Sequence, residues 1–138
     1  MTTEHPSTYA RTHELQADVL PFVLGPEVDA VLKHARAASD GHAAKTLVKD
    51  GPLRVTLVGL RAGAQLEEHE VAGPVLVQGL SGVARLMASE HEVDLGPGAL
   101  VALNLGVAHV VQAVQDCAFL ITIALTPVAE ESPRQEAQ

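Results

Sequence analysis

Residues 63–82 read GAQLEEHEVAGPVLVQGLSG. Two short runs, Gln65–Val71 and Val75–Leu80, flank the breaker Ala72-Gly73-Pro74, and a glycine stands at each end. Runs this short, rich in Val and Leu and bounded by Gly and Pro, have the form of strands. The same grammar extends in both directions. Thr46–Val48 and Leu53–Leu60 precede the stretch. Val83–Ala88, His91–Leu95, Leu100–Leu103, Val107–Val114 and Cys117–Leu125 follow it. Turn signals separate them, among them Asp50-Gly51-Pro52, Ala62-Gly63, Ser81-Gly82, Gly96-Pro97-Gly98 and Gln115-Asp116. Many short strands at this spacing predict an all-β sandwich or barrel. No helix-length segment interrupts them, which argues against a parallel α/β sheet.

Some of these strands alternate. In SEHEVDL, Glu90, Glu92 and Asp94 fall on one face and His91, Val93 and Leu95 on the other, as a half-buried strand requires. VLVQGL and FLITIAL are apolar almost throughout, so both of their faces need cover. An N-terminal helix or a second subunit would supply it on the outside.

The region before residue 44 is different. Gly25-Pro26-Glu27 reads as a helix start, and Val28, Val31, Leu32 and Ala35 form one apolar stripe at helical spacing. Ser39-Asp40-Gly41 ends it. A shorter helix is expected between Leu15 and Leu24. The chain therefore divides into an N-terminal segment with one or two helices (1–43), a β-barrel (44–127) and a disordered polar tail (128–138).

Composition excludes several functions. Hydrophobic residues make up 47% of the 138 and aromatics only 2%, so the core is aliphatic. Nine basic residues against 17 acidic ones, giving a formal charge of −8, leave no clustered positive patch for phosphates and little to stack on bases. No nucleic-acid partner is expected. Cys117, the single cysteine, lies in an apolar run and reads as a small core residue. The N-terminus lacks the order of a signal peptide, and no apolar run approaches the roughly 18 residues of a membrane span. The expectation is a cytoplasmic protein with no membrane partner.

Two spaced motifs carry a resemblance. In the first, Gly63 is followed by five residues, then His69, Val71 two positions on, Val75 after three more residues, and a closing Gly82. In the second, Gly98 is followed by five residues, then Asn104-Leu105-Gly106, two residues, His109, three residues and Ala113. This order and spacing resemble the cupin superfamily of small barrels, over about Leu53 to Leu125. The resemblance implies an antiparallel, jelly-roll-like β-barrel behind the N-terminal helical extension. In metal-binding members, four positions hold ligands. Here two of them keep histidine, His69 and His109, while Val71 and Val75 stand at the other two, and Ala113 replaces the final Asn. Asn104 replaces the usual Pro of the second motif, a change suited to a turn.

The implied site is therefore a lumen with His69 and His109 as metal candidates and Val71, Val75 and Ala113 as pocket wall. If His69 points inward, strand alternation puts Gln65, Glu67, His69 and Val71 on one face. Glu67 would then complete a two-His, one-carboxylate set. Three readings stand for the histidine pair: one divalent metal (Zn, Fe, Ni, Mn or Cu) with Glu67 or water, metal-free acid–base or donor–acceptor work, or a remnant satisfied by hydrogen bonds. The resemblance implies a small-molecule ligand and a homodimer. Oxygenase- or isomerase-like chemistry belongs to the metal reading. A non-enzymatic binding or sensing module with a metal-free apolar lumen is the alternative. A structural dimer whose lumen is refilled by Val71, Val75 and Met87 is a third. His91 is expected to serve the surface rather than the site.

Overall fold

The computed structural model describes residues 18–68 and 71–126. One helix, α1 (Leu24–Ala37), precedes nine strands: β1 (His42–Asp50), β2 (Leu53–Leu60), β3 (Gln65–Glu68), β4 (Val75–Ser81), β5 (Ala84–Ala88), β6 (His91–Leu95), β7 (Leu100–Leu103), β8 (His109–Ala113) and β9 (Cys117–Ala124). They form a five-stranded sheet in the order β1-β2-β9-β4-β7 and a four-stranded sheet in the order β3-β8-β5-β6. All pairings are antiparallel. The two sheets face each other across one aliphatic core, with Val77, Leu86, Leu95, Val111 and Phe119 all buried.

The expected barrel with a helical extension is the observed fold. β1 is longer than Thr46–Val48, because its whole length pairs with β2 around a bulge between Thr46 and Val48. Only one helix is present among the described residues. Residues 18–23 are not helical, while 15–17 and the tail 128–138 lie outside the described residues.

The helix buries Val31, Leu32 and Ala35, its predicted stripe, against Leu47, Leu57 and Ala118 on the outer face of β1, β2 and β9. This close approach needs Gly59, where a Cβ would lie 2.9 Å from the Val31 carbonyl oxygen. Polar contacts fix both ends. Lys45 Nζ donates to Glu27 Oε1 at 2.8 Å in the first turn, in a half-buried ion pair. At the other end Arg61 donates to the carbonyls of Arg36 and Ala38 at 3.2 and 2.9 Å, satisfying groups that a helix C-terminus leaves open.

The four glycines of the two motifs, Gly63, Gly82, Gly98 and Gly106, all have positive φ, between 65° and 89°. Gly82 shows why the position is restrictive: any Cβ there would collide with the Asp116 carbonyl oxygen as well as strain the backbone. No helix among the described residues is long and apolar enough to cross a membrane.

Candidate functional site

Paired residues of antiparallel strands point to the same side of a sheet. In the four-stranded sheet, Ala88 pairs with His109 on one side and with His91 on the other. His109, Ala88 and His91 thus form one inward row, with the histidines two ladder steps apart, about 10 Å between Cα atoms. The next row inward is Leu66, Val111, Leu86 and Val93. The row beyond it, Ala113, Ala84 and Leu95, closes the far end.

The sheets are not joined everywhere. β6 and β7 are consecutive in the chain, yet each is the free edge of its own sheet. A cavity of about 330 Å³ enters the barrel along this seam. Leu86, Val93, Val101, Leu103 and Val107 make its apolar wall, with Ala88 and Ala102, and Ser89, His91 and Asn104 are its polar members.

His109 is the one buried polar or charged residue among the described residues, 3% exposed. Ala88, its partner in the sheet, and Val107, two residues before it, line the cavity, and His109 itself is not among the lining residues. Its Nδ1 lies 3.2 Å from the Val107 carbonyl oxygen. A carbonyl only accepts, so Nδ1 carries the hydrogen and Nε2 of the neutral ring keeps its lone pair. That is the tautomer suited to taking a proton or holding a metal through Nε2.

The expected pocket residues are distributed differently. Val75 is buried between Leu103 and Ile123, and Val71 is half-buried against the same core. Ala113 is also buried, but four residues along β8 from His109, about 13 Å at strand rise. All three belong to the barrel interior, and none lines the cavity. Met87 points away from the lumen, between Val110 and Glu92.

Glu67 corrects an expectation. Leu66 pairs with Val111 and packs into the core, so the inward parity of β3 belongs to Leu66. Glu67, paired with Val110, is exposed on the other face, where its carboxylate accepts from Gln65 Nε2 at 3.1 Å. It does not join His109 in the lumen. His69 lies outside the described residues. The backbone of Glu68 pairs with His109, so the ladder on that side reaches the residue immediately before it. Among the described residues no three His, Cys, Asp or Glu side chains come together as a metal site. Among the described residues the ligand positions hold one imidazole, His109, beside Val71 and Val75, where a catalytic zinc takes three ligands and an iron centre of the two-His, one-carboxylate kind takes two His and a carboxylate.

His91 is the residue that reading the sequence set aside. It shares the inward parity of Val93 and Leu95, and that parity was the available signal. Asn104 has the turn role expected of it, accepting from the Leu105 backbone N–H at 2.8 Å through Oδ1. It also lines the cavity. Gln78 points outward and is exposed. Cys117 is buried, and desolvation pushes its thiol up to about 11, which makes it a core residue rather than a nucleophile.

No protein-family model and no curated protein sequence matches the chain. Solved structures do. A conserved protein of unknown function from Streptococcus pyogenes is 23% identical, with a TM-score of 0.60 over 66% of this chain and 80% of that one. A cupin superfamily protein from Desulfitobacterium hafniense is 18% identical, with a TM-score of 0.62 over 65% and 83%. A salicylate 1,2-dioxygenase from Pseudaminobacter salicylatoxidans is 18% identical, with a TM-score of 0.62 over 72% of this chain but only 33% of its own. At such identities the likeness is one of architecture, and the architecture of this chain is the cupin fold.

Proposed function

We propose that the protein is a small-ligand-binding barrel whose site is the seam cavity between β6 and β7. The observation that carries this is the cavity's make-up: an aliphatic wall with three polar side chains at one end. Small-molecule sites have this composition, and about 330 Å³ is at the lower end of their usual range of about 300–1,000 Å³. The ligand is correspondingly small and largely apolar. Val71 and Val75, at two of the four ligand positions of the resemblance, favour the non-enzymatic binding or sensing reading.

A second reading is supported by one feature. Nδ1 of His109 is committed to Val107, which leaves Nε2 for a divalent metal, with His69 as its partner. Elemental analysis of chelator-free protein beside His109→Ala separates the readings. About one metal per chain, lost in the variant, supports the metal site. Metal-free protein whose melting point rises with small apolar ligands supports the binding module. In the latter case Ala88→Leu, which fills the cavity, is expected to weaken ligand binding at least about tenfold. Unchanged affinity would move the site elsewhere.

The same proposal includes a homodimer. The outer face of β4, β7 and the end of β9 exposes Leu76 and Leu100, beside an apolar groove formed with Pro74, Ala102 and Ala124. α1 covers the rest of that sheet and leaves this part bare. Leu100→Glu is expected to shift the protein from dimer to monomer in light scattering. A monomeric wild type would remove the second copy from this face.

A further inference from the structure

The polar end of the seam cavity restricts what its ligand carries. Among the described residues three of the lining ones carry hydrogen-bonding side chains: Ser89, His91 and Asn104. Asn104 is already half used. Its Oδ1 accepts from the Leu105 N–H at 2.8 Å, so the group left wholly unused is the NH2, a pure donor. The Ser89 hydroxyl can donate, and so can an imidazole N–H of His91. Among the described residues no carboxylate lines the cavity, and Glu90, between Ser89 and His91, is not part of the wall. Beyond these three groups the described lining is Val, Leu and Ala.

Ser89 is the first residue of the two-residue loop between the paired Ala88 and His91. It is the one non-glycine among the described residues with positive φ, at 54°. A left-handed serine is disfavoured for its backbone, and a two-residue hairpin loop asks for that conformation at this position. The β5–β6 turn holds Ser89 and His91 together on the rim, facing the Asn104 turn across the seam.

We propose that the ligand is a small carboxylate with a branched or cyclic apolar body, its carboxylate held at the rim by Asn104 Nδ2, Ser89 and His91 and its body inside the aliphatic wall. This rests on the cavity being the ligand site. A carboxylate accepts through both oxygens and donates nothing, which matches a rim whose one unambiguous remaining group is a donor. The chain's −8 formal charge opposes an anion at long range. Screening confines that effect to about 8 Å at physiological salt, and contacts at the rim act at hydrogen-bond distance.

The test uses the full chain and two probes with one apolar body, 4-methylpentanoate and 4-methylpentan-1-ol, measured by calorimetry. The carboxylate is expected to bind at least about tenfold tighter than the alcohol. Asn104→Asp keeps an oxygen for the Leu105 N–H but turns the remaining donor into an anionic acceptor, so the turn survives. It is expected to abolish the preference for the carboxylate over the alcohol. Ser89→Ala provides a second variant, with a partial loss expected for the carboxylate alone. If both probes bind wild type equally, the carboxylate inference is overturned and the cavity remains a ligand site. A preference that survives in Asn104→Asp overturns it as well. If neither probe binds, the cavity reading beneath it fails too.

Discussion

The two ends of the barrel interior are built from the same two sheets and differ in what fills them. At one end Ala84, Leu95 and Ala113 meet Leu60, Cys117 and Phe119, all of them buried. At the other, Ala88 and Leu103 are buried, Val93, Val101 and Val107 only in part, and His91 and Asn104 are open to solvent. The closed end also has the chain crossing tightly: Gly63 N–H donates to the Ala113 carbonyl and Ala113 N–H to the Ala64 carbonyl. The open end has the unpaired edges of β6 and β7. Packing without gaps makes an end stable, and a gap with a few polar groups makes an end able to bind. In this chain the two kinds of end are separated along the strand direction, a few residues apart.

If that separation holds, the largest stability effects belong to the closed end. Phe119→Ala removes the largest fully buried side chain from between the sheets. It is expected to cost about 3–5 kcal/mol, the loss of transferred area plus the cavity left behind. Urea unfolding monitored by circular dichroism gives the value. Ala88→Leu at the open end, by contrast, is expected to change stability by less than about 1.5 kcal/mol, because the cavity takes the added carbons. Equal costs at the two ends would erase the distinction.

Acid sharpens the comparison. Asp116 lies in the β8–β9 turn, at the closed end. Its carboxyl is held below the ordinary carboxylate value, first by the Arg36 side chain, which donates to Oδ2 at 2.8 Å, and then by the Ala62 N–H, which donates to Oδ1 at 2.8 Å. A folded-state value below the unfolded one means that the unfolded chain binds the proton more readily. The contribution to stability is therefore fully present above the unfolded value and lost as pH falls through the folded one. Asp116→Asn keeps an acceptor for the Ala62 N–H and loses the charge. It is expected to flatten the acid limb of the stability curve below about pH 4 and leave ligand binding at the open end unchanged. Because the pair is exposed, added salt should shrink the difference. An unaltered acid limb would place the carboxylates that matter elsewhere.

How much of this was legible in the sequence depended on whether the signal was local. Alternation and turn residues located the nine strands and the helix, most clearly β2, β4, β5, β8 and β9, which have buried residues at every second position or an apolar run. The positive φ of Gly63, Gly82, Gly98 and Gly106 is likewise a local demand that only glycine meets cheaply. The face of β3 was harder. QLEE holds one apolar side chain, so counting back from His69 and trusting Leu66 give opposite parities, and burial of Leu66 decided it. The cavity was not legible at all. It exists because β6 and β7 end up as edges of different sheets, a property of pairing between distant strands. His91 comes to line the cavity through that pairing.

The smallest effect tests the open end from the other side. Ser89 sits at φ 54° in the β5–β6 turn, where a Cβ is disfavoured and glycine is not. Ser89→Gly relieves that strain in the folded chain but gives the unfolded chain more freedom, and the two effects partly offset each other. The expected net change is a gain of about 0.5–1 kcal/mol, read from the same unfolding curves. The hydroxyl leaves the rim at the same time, so carboxylate affinity should fall as stability rises. Opposite movement of the two quantities in one substitution is what a strained residue retained for binding predicts. A serine retained only to make the turn would let stability change without any change in affinity.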